Sequence, residues 1–237
     1  MFGLFNRRIS LIESGFLSGW TDNHSHILYG VDDGVKTVEE SLEILSWLEE
    51  LGLQEVWCTP HVMEDVPNTT EGLRKRFEDL KSVYKGGLVL HLAAEYMMDN
   101  LFEERLEDRD LLQHGEDVVL VETSTWSPPI DLWGTLERMM SAGYRPLLAH
   151  PERYRYMAEE DYVRLHRMGV LMQLNLPSVT GYYGEHALRN ARFLLGKGWY
   201  CMGGSDCHRF KVLQAQYSNV SIDKKLLASL RAIHTNL

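Results

Sequence analysis

Two short alternations of metal-ligand side chains frame the chain: His24-Ser25-His26 near its start and Asp206-Cys207-His208 near its end. Each closes an apolar run that reads as a β-strand, and in a strand residues i and i+2 point to the same side. His24 and His26 can therefore reach one ion, as can Asp206 and His208. Neither alternation is decisive alone in a chain with ten histidines. Three more apolar runs end in the same chemistry: Val56-Trp57-Cys58-Thr59-Pro60-His61, Val118-Val119-Leu120-Val121-Glu122 and Pro146-Leu147-Leu148-Ala149-His150. A further segment, Leu88 to Ala94, runs into Glu95. Ligands spread over strand ends in this way describe a metal site. Mixed imidazole and carboxylate donors suit borderline divalent ions such as Zn, Mn, Fe or Co. With Asp33 added, nine ligands are at hand, enough for two or three ions that share bridging carboxylates. Two ions roughly 3.5–4 Å apart can hold a hydroxide and stabilise both the attacking and leaving oxygens at phosphorus. Arg153, in His150-Pro151-Glu152-Arg153-Tyr154, would lie beside that rim, where a guanidinium can pair two phosphate oxygens or form a rim salt bridge. Arg209, just after His208, is a second candidate for the same task.

The elements that must carry these groups alternate in type. Strand patterns fall at 20–26, 54–60, 87–94, 117–122, 145–149, 170–175 and 199–204. Amphipathic helical spacing fills 38–51, 70–84, 99–113, 131–143, 159–169 and 184–196. Thr37 before Val-Glu-Glu and Asp131 after Pro128-Pro129 read as helix starts. Gly52, Gly143 and Gly169 read as stops. Seven β-then-α repeats with no break in composition predict a single α/β domain, a distorted (β/α)7 TIM-like barrel spanning 20–237. Active sites of such barrels lie at the C-terminal ends of the strands, where the ligand residues fall. An apolar arm precedes it over residues 1–19, expected as a short helix packed on the barrel or on a neighbouring subunit, with a weak membrane-surface contact as the alternative.

Composition bounds the function classes. At 237 residues the chain suits one large domain. A formal charge of −10 argues against a general nucleic-acid binder. Three cysteines without disulfide spacing suit a reducing compartment, and no run is long enough to span a bilayer, so the expected location is the cytoplasm. A thiol mechanism for phosphate-ester hydrolysis would need an arginine six positions after a cysteine. Cys58, Cys201 and Cys207 are followed there by Glu64, Cys207 and Leu213, which leaves metal-assisted attack. Among the remaining histidines, His91, His114, His166 and His234 are expected to be structural, whereas His186 could touch substrate. Trp126, Tyr154, Tyr182 and Tyr183 fall on expected rim loops and could flank an aromatic phosphoester.

The segments HSHILYGVDDG, TPH, AAEY, VETS, LLAHPERY, LNLPSVTG and GGSDCH resemble the motifs of the polymerase-and-histidinol-phosphatase (PHP) superfamily. More narrowly they resemble its bacterial tyrosine-phosphatase branch associated with capsule and exopolysaccharide synthesis, over nearly all of residues 20–210. The resemblance implies a distorted seven-stranded barrel holding three divalent ions, manganese first, with iron, zinc, cobalt and magnesium open. By position, the first ion would take His24, His26, Glu95 and Asp206. The second would take Glu95 as a bridge with Glu122 and His150. The third would take an aspartate of Asp32-Asp33 with His61 and His208; Asp33 is favoured because it directly precedes the glycine, and spacing leaves Asp32 open. The implied reaction is hydrolysis of phosphotyrosine, on the tail of a bacterial tyrosine kinase of polysaccharide synthesis and export, by a metal-bound hydroxide. An oligomer is possible. Three rival readings stay open: a small-molecule phosphatase of the histidinol-phosphatase type, a metal-dependent amidohydrolase, and a non-catalytic metal-binding docking module.

Overall fold

The computed structural model of the protein describes residues 9–218 and 221–233. The chain enters through β1 (Ile9–Ser10) and a run of turns, then alternates parallel strands with helices: β2 (Thr21–Ser25), α1 (Val38–Glu50), β3 (Glu55–Cys58), β4 (His61–Val62), α2 (Thr70–Val83), β5 (Val89–Leu92), β6 (Glu95–Met97), α3 (Asn100–Asp108), β7 (Val118–Glu122), α4 (Leu132–Ser141), β8 (Arg145–Ala149), α5 (Glu159–Met168), β9 (Leu171–Asn175), α6 (Gly184–Lys197) and β10 (Tyr200–Gly204). It ends with α7 (Phe210–Ser218), β11 (Ser221–Ile222) and α8 (Lys224–Arg231). Thr37 and Asp131 cap α1 and α4 by accepting the backbone N–H groups of Glu40 and Gly134.

Instead of the single expected ring of seven strands, the mixed α/β fold has two parallel sheets. One runs β10-β9-β8-β7-β6-β4, the other β2-β3-β5. Two of the expected strands are broken. The strand over 54–60 divides at Thr59-Pro60, where proline has no N–H to give a ladder, and the strand over 87–94 divides at Ala93-Ala94 and resumes as β6. The sheets meet along two margins. On one side the chain itself passes between the sheets, from β3 into β4 and from β5 into β6. Ala93 and Glu95 keep the neighbours paired there by donating backbone N–H groups to the Cys58 and Pro60 carbonyls at 2.9 and 3.0 Å. On the other side Asp206 donates to the His24 carbonyl at 2.8 Å, and His26 to that of Cys207 at 2.9 Å.

β7 is buried at every residue, as a strand covered on both faces must be. Its parity is visible in the packing. Val118 and Leu120, with Leu147, Ala149 and Met202, form a small inner cluster. Val119, Val121 and Leu148 join the main core under the helices. The site therefore sits at strand ends above a small apolar plug.

Three expectations change. The helix over 99–113 stops at Asp108, because Arg109 takes a left-handed conformation with φ 57°. The arm is not a helix where it is described: Ile9–Ser10 pairs antiparallel with Ser221–Ile222, and the turns after it bury Leu11, Phe16 and Leu17 in the main core. Residues 1–8 lie outside the described part. The C-terminal α7 and α8 were not expected; α8 buries Leu230.

Candidate metal centre

β2 delivers His24 and His26 side by side, fully buried, with their outer nitrogens already committed. His24 Nδ1 lies 2.7 Å from Gln173 Oε1. The Gln173 amide nitrogen donates to the Asn23 carbonyl at 3.1 Å, which makes Oε1 the acceptor and His24 Nδ1 the donor. His26 Nδ1 donates to Asp32 Oδ2 at 2.8 Å. Both Nε2 atoms therefore turn lone pairs inward, 3.2 Å apart, a repulsive arrangement unless a cation or proton lies between them. Glu95 Oε2 stands 3.2 Å from His24 Nε2, 3.3 Å from His26 Nε2 and 3.2 Å from His61 Nδ1. It is buried and has no hydrogen-bond partner, and the same holds for His61 Nδ1. Converging donors of this kind fit a metal ion: each needs a positive partner that no neighbouring side chain supplies.

Three ligand groups share these atoms. His24, His26, Glu95 and Asp206 form one; His61, Glu95 and Glu122 a second; His26, Asp33, His61 and His208 a third. His150 joins the second through its Nε2, 3.0 Å from Glu95 Oε1 and 3.7 Å from Glu122 Oε2. Asp33 Oδ1 lies 3.6 Å from His61 Nε2 and 3.4 Å from His208 Nε2. Asp32 is spent elsewhere: besides His26, it accepts the backbone N–H groups of His61 at 3.0 Å and Gly34 at 2.9 Å. The two aspartates thus divide between positioning His26 and facing the third group.

Backbone geometry does part of the aiming. Continuing the strand parity of Leu147 and Ala149 would send His150 outward, toward the helices. Its left-handed backbone, φ 36°, turns the ring to Glu95 instead, and Asp206 is left-handed too, at φ 52°. Such conformations are costly for non-glycine residues and gather at functional sites. Two glycines let the backbone close in. A Cβ on Gly34 would collide with the His26 carbonyl and Cβ, and one on Gly204 with His24 Cβ.

Charge in the cluster is governed by partners. Burial opposes ionisation of Asp206, but the charge of His24, the His26 ring 3.4 Å away and the charge of Arg153 outweigh it and hold the carboxyl well below its usual range. Burial likewise opposes charge on Glu95, and His24 and His150 reverse the balance. Asp32 is pulled down to about 2 against burial, chiefly by His26. Burial also works against protonated His24 and His26, yet the facing carboxylates raise both. His208 is lowered by burial and by the charge of His26. The pocket therefore favours positive charge within it, whether proton or metal.

Arg153 reaches Asp206 Oδ2 through Nη1 at 2.6 Å and lies over the Tyr183 ring, 4.3 Å from its centroid. Asn175 Nδ2 donates to the same Asp206 oxygen at 3.0 Å and toward the Tyr183 hydroxyl at 3.3 Å. Glu152, wholly buried, accepts the Asn175 backbone N–H and the Tyr200 hydroxyl at 3.0 and 2.8 Å, so the turn bearing Arg153 is anchored from below. Arg209 is exposed and lines a separate surface hollow with Glu39, Glu40 and Glu43. Tyr154 is not on the rim: it is buried, and its hydroxyl donates to the Ala149 carbonyl and accepts the Thr123 N–H. Trp126 and Tyr182 are exposed. His186 Nε2 bonds the Tyr154 carbonyl at 3.2 Å. His91 pairs with Glu55, His166 stacks on Trp199, and His114 is buried against Trp57; His234 lies outside the described residues. Gln173 and Asn175 were not expected. Their signal was polar residues at alternate positions of an otherwise apolar strand, Leu171-Met172-Gln173-Leu174-Asn175.

Residues 20–224 match the family described as capsular polysaccharide synthesis, CpsB/CapC. The chain belongs to that family. Among CpsB/CapC relatives, the tyrosine-protein phosphatase CpsB of Streptococcus agalactiae is 28% identical, over 81% of this chain and 84% of its own. A solved structure described as that of YwqE from Bacillus subtilis and CpsB from Streptococcus pneumoniae, unique metal-dependent tyrosine phosphatases, superposes with a TM-score of 0.71 at 25% identity, covering 81% of both chains. The phosphotriesterase homology protein of Escherichia coli shares the fold alone, with a TM-score of 0.52 at 12% identity over 90% of this chain and 91% of that one.

Proposed function

We propose that this CpsB/CapC member is a metal-dependent protein-tyrosine phosphatase, a phosphoric monoester hydrolase. The observation that carries the reading is the sharing of Glu95, His26 and His61 among three ligand groups beside a half-buried arginine. The ligand set is His24, His26, Asp33, His61, Glu95, Glu122, His150, Asp206 and His208, for three divalent ions. Manganese is the first choice, with iron, zinc, cobalt or magnesium accepted by the same donors. Bound there, the ions would supply Lewis acidity and an activated water at neutral pH.

The residues of the chain do the rest. Gln173 and Asp32 hold His24 and His26 in the tautomer that points Nε2 inward. Arg153 uses one Nη for Asp206, and the guanidinium carries further N–H donors suited to phosphoryl oxygens. Tyr183 buttresses that guanidinium from the side. Arg209 was the second candidate for phosphate contact; its exposed position beside Glu39, Glu40 and Glu43 favours Arg153 for the role. A phenolate leaving group, pKa ~10, needs less protonation than an alkoxide.

The strand order and the backbone bonds from Asp206 to the His24 carbonyl and from His26 to the Cys207 carbonyl support a distorted seven-stranded barrel as the architecture. The substrate we assign is a phosphotyrosine protein, the tail of a bacterial tyrosine kinase of polysaccharide synthesis. The place of action is the cytoplasm, which accords with the absence, among the described residues, of any helix long and apolar enough to cross a membrane. The test is phosphate release from a phosphotyrosine peptide by manganese-loaded protein, beside a chelated sample and His150→Ala. Turnover lost in both controls is expected; no turnover by intact, loaded protein would overturn the reading.

A further inference from the structure

A hollow of about 130 Å³ opens beside the centre, lined by Thr125, Trp126, Arg153, Arg155, Tyr183 and His186. Two of its walls are segments that follow ligand-bearing strand ends, and Tyr183 and His186, at the start of α6, form the third. Trp126 comes four residues after Glu122, and Arg155 five after His150. The segments are tied together by the Arg155 N–H donating to the Thr125 carbonyl at 2.8 Å and by Tyr154 bridging to the Thr123 N–H. Arg153 belongs both to this hollow and to the site, through Asp206.

The hollow combines two arginines with aromatic rings and no acid, in a chain of net charge −10. The Arg155 guanidinium sits 4.0 Å from the centroid of the Trp126 ring, and among the described residues it has no anionic partner. Arg138 and Arg145 hold carboxylates directly, whereas Arg164 lies 3.9 Å over Trp133 much as Arg155 lies over Trp126. What sets Arg155 apart is that it shares a hollow with Arg153. Trp126, 69% exposed, gives Arg155 a flat support that leaves the N–H edge of the guanidinium available to a planar, bidentate acceptor.

We propose that this hollow is a subsite for an aspartate or glutamate side chain flanking the phosphotyrosine of the substrate, with Arg155 as the residue that sets the preference. The inference rests on the phosphatase reading above. An extended peptide advances about 3.3–3.6 Å per residue, so a residue close to the phosphotyrosine in sequence enters the hollow that Arg153 and Arg155 share. Arg153 then serves the phosphoryl group and Arg155 the flanking carboxylate.

The experiment compares kcat/KM of manganese-loaded protein on three phosphotyrosine peptides, flanked on both sides by glutamate, glutamine or lysine. Intact protein is expected to favour the glutamate peptide over the glutamine peptide by about three- to tenfold at low ionic strength, mainly through KM, with the preference shrinking as salt rises. Arg155→Gln should bring that ratio close to one. Arg155→Glu should turn the preference toward the lysine peptide, a gain that misfolding cannot produce. Equal turnover of the peptides by intact protein, or an unchanged ratio in Arg155→Gln, would overturn the inference and leave the phosphatase reading standing. No turnover of any peptide would overturn both.

Discussion

His24 and His114 are both buried imidazoles, joined through three hydrogen bonds: His24 to Gln173 at 2.7 Å, Gln173 to the Asn23 carbonyl at 3.1 Å, and His114 Nε2 to that same carbonyl at 3.3 Å. Their proton affinities shift in opposite directions. Burial works against charge on both, and at His24 the facing carboxylates of Glu95 and Asp206 reverse it. At His114 burial prevails and pushes the ring down to about 3; a carbonyl and the stacked Trp57 ring, 3.6 Å between centroids, are too weak to restore it. One side chain, buried alike, makes a cation-seeking ligand on one side of Gln173 and a neutral packing element on the other. What decides is the charge of the neighbours, not depth.

Removing the carboxylate that the ligand groups share should break the contrast most completely. Glu95→Gln keeps the shape and removes the charge, and phosphotyrosine turnover is expected to fall by about 10³-fold or more. Elemental analysis should show the metal content falling with it. A variant that keeps full metal and full turnover would mean that the shared-ligand arrangement is wrong.

The neutral side of the comparison is tested by pH. The folded-state pKa of His114 lies below its unfolded value of 6.5. Between 6.5 and about 3 the unfolded chain binds a proton that the folded chain refuses, so stability rises with pH across that window and is fully present above it. Chelated protein should therefore lose on the order of 2–4 kcal/mol as pH falls through this range on account of His114. Denaturant midpoints of His114→Gln against pH should show a shallower slope; parallel slopes would remove His114 as the cause.

The smallest expected change lies at the hinge between the two rings. Gln173→Leu takes the acceptor from His24 Nδ1 and should weaken metal binding by roughly 10–100-fold while the fold persists. Metal titration followed by circular dichroism and calorimetry would read both, and an unchanged affinity would show that packing alone orients His24.

Much of this was legible in the residues. The ends of the apolar runs nominated the members of the three ligand groups other than Asp33, because strand periodicity is local. Asp33 came from the Asp32-Asp33-Gly34 loop, with Asp32 left open. The strand over 145–149 and the starts of α1 and α4 follow from the same local rules. Of the two broken strands only one was hidden: Pro60 marks the first break in the sequence, whereas Ala93-Ala94 continues an apolar run through the second. Tyr154 looked like a rim aromatic because it follows a ligand, but its hydroxyl found two backbone partners inside.

The chain by itself thus determined which strand ends carry imidazole and carboxylate groups, the alternation of strand and helix, and the lack of a thiol route to phosphate esters. Tertiary structure alone decided which atoms face one another. It put Asp32 behind His26 and Asp33 toward His208, turned His150 inward against its strand parity, and brought Gln173 to His24 across 149 residues of chain. The physical reason is range. Side-chain parity and capping are set within a few residues, whereas hydrogen-bond partners and charge balance depend on register between strands that only the folded sheet aligns.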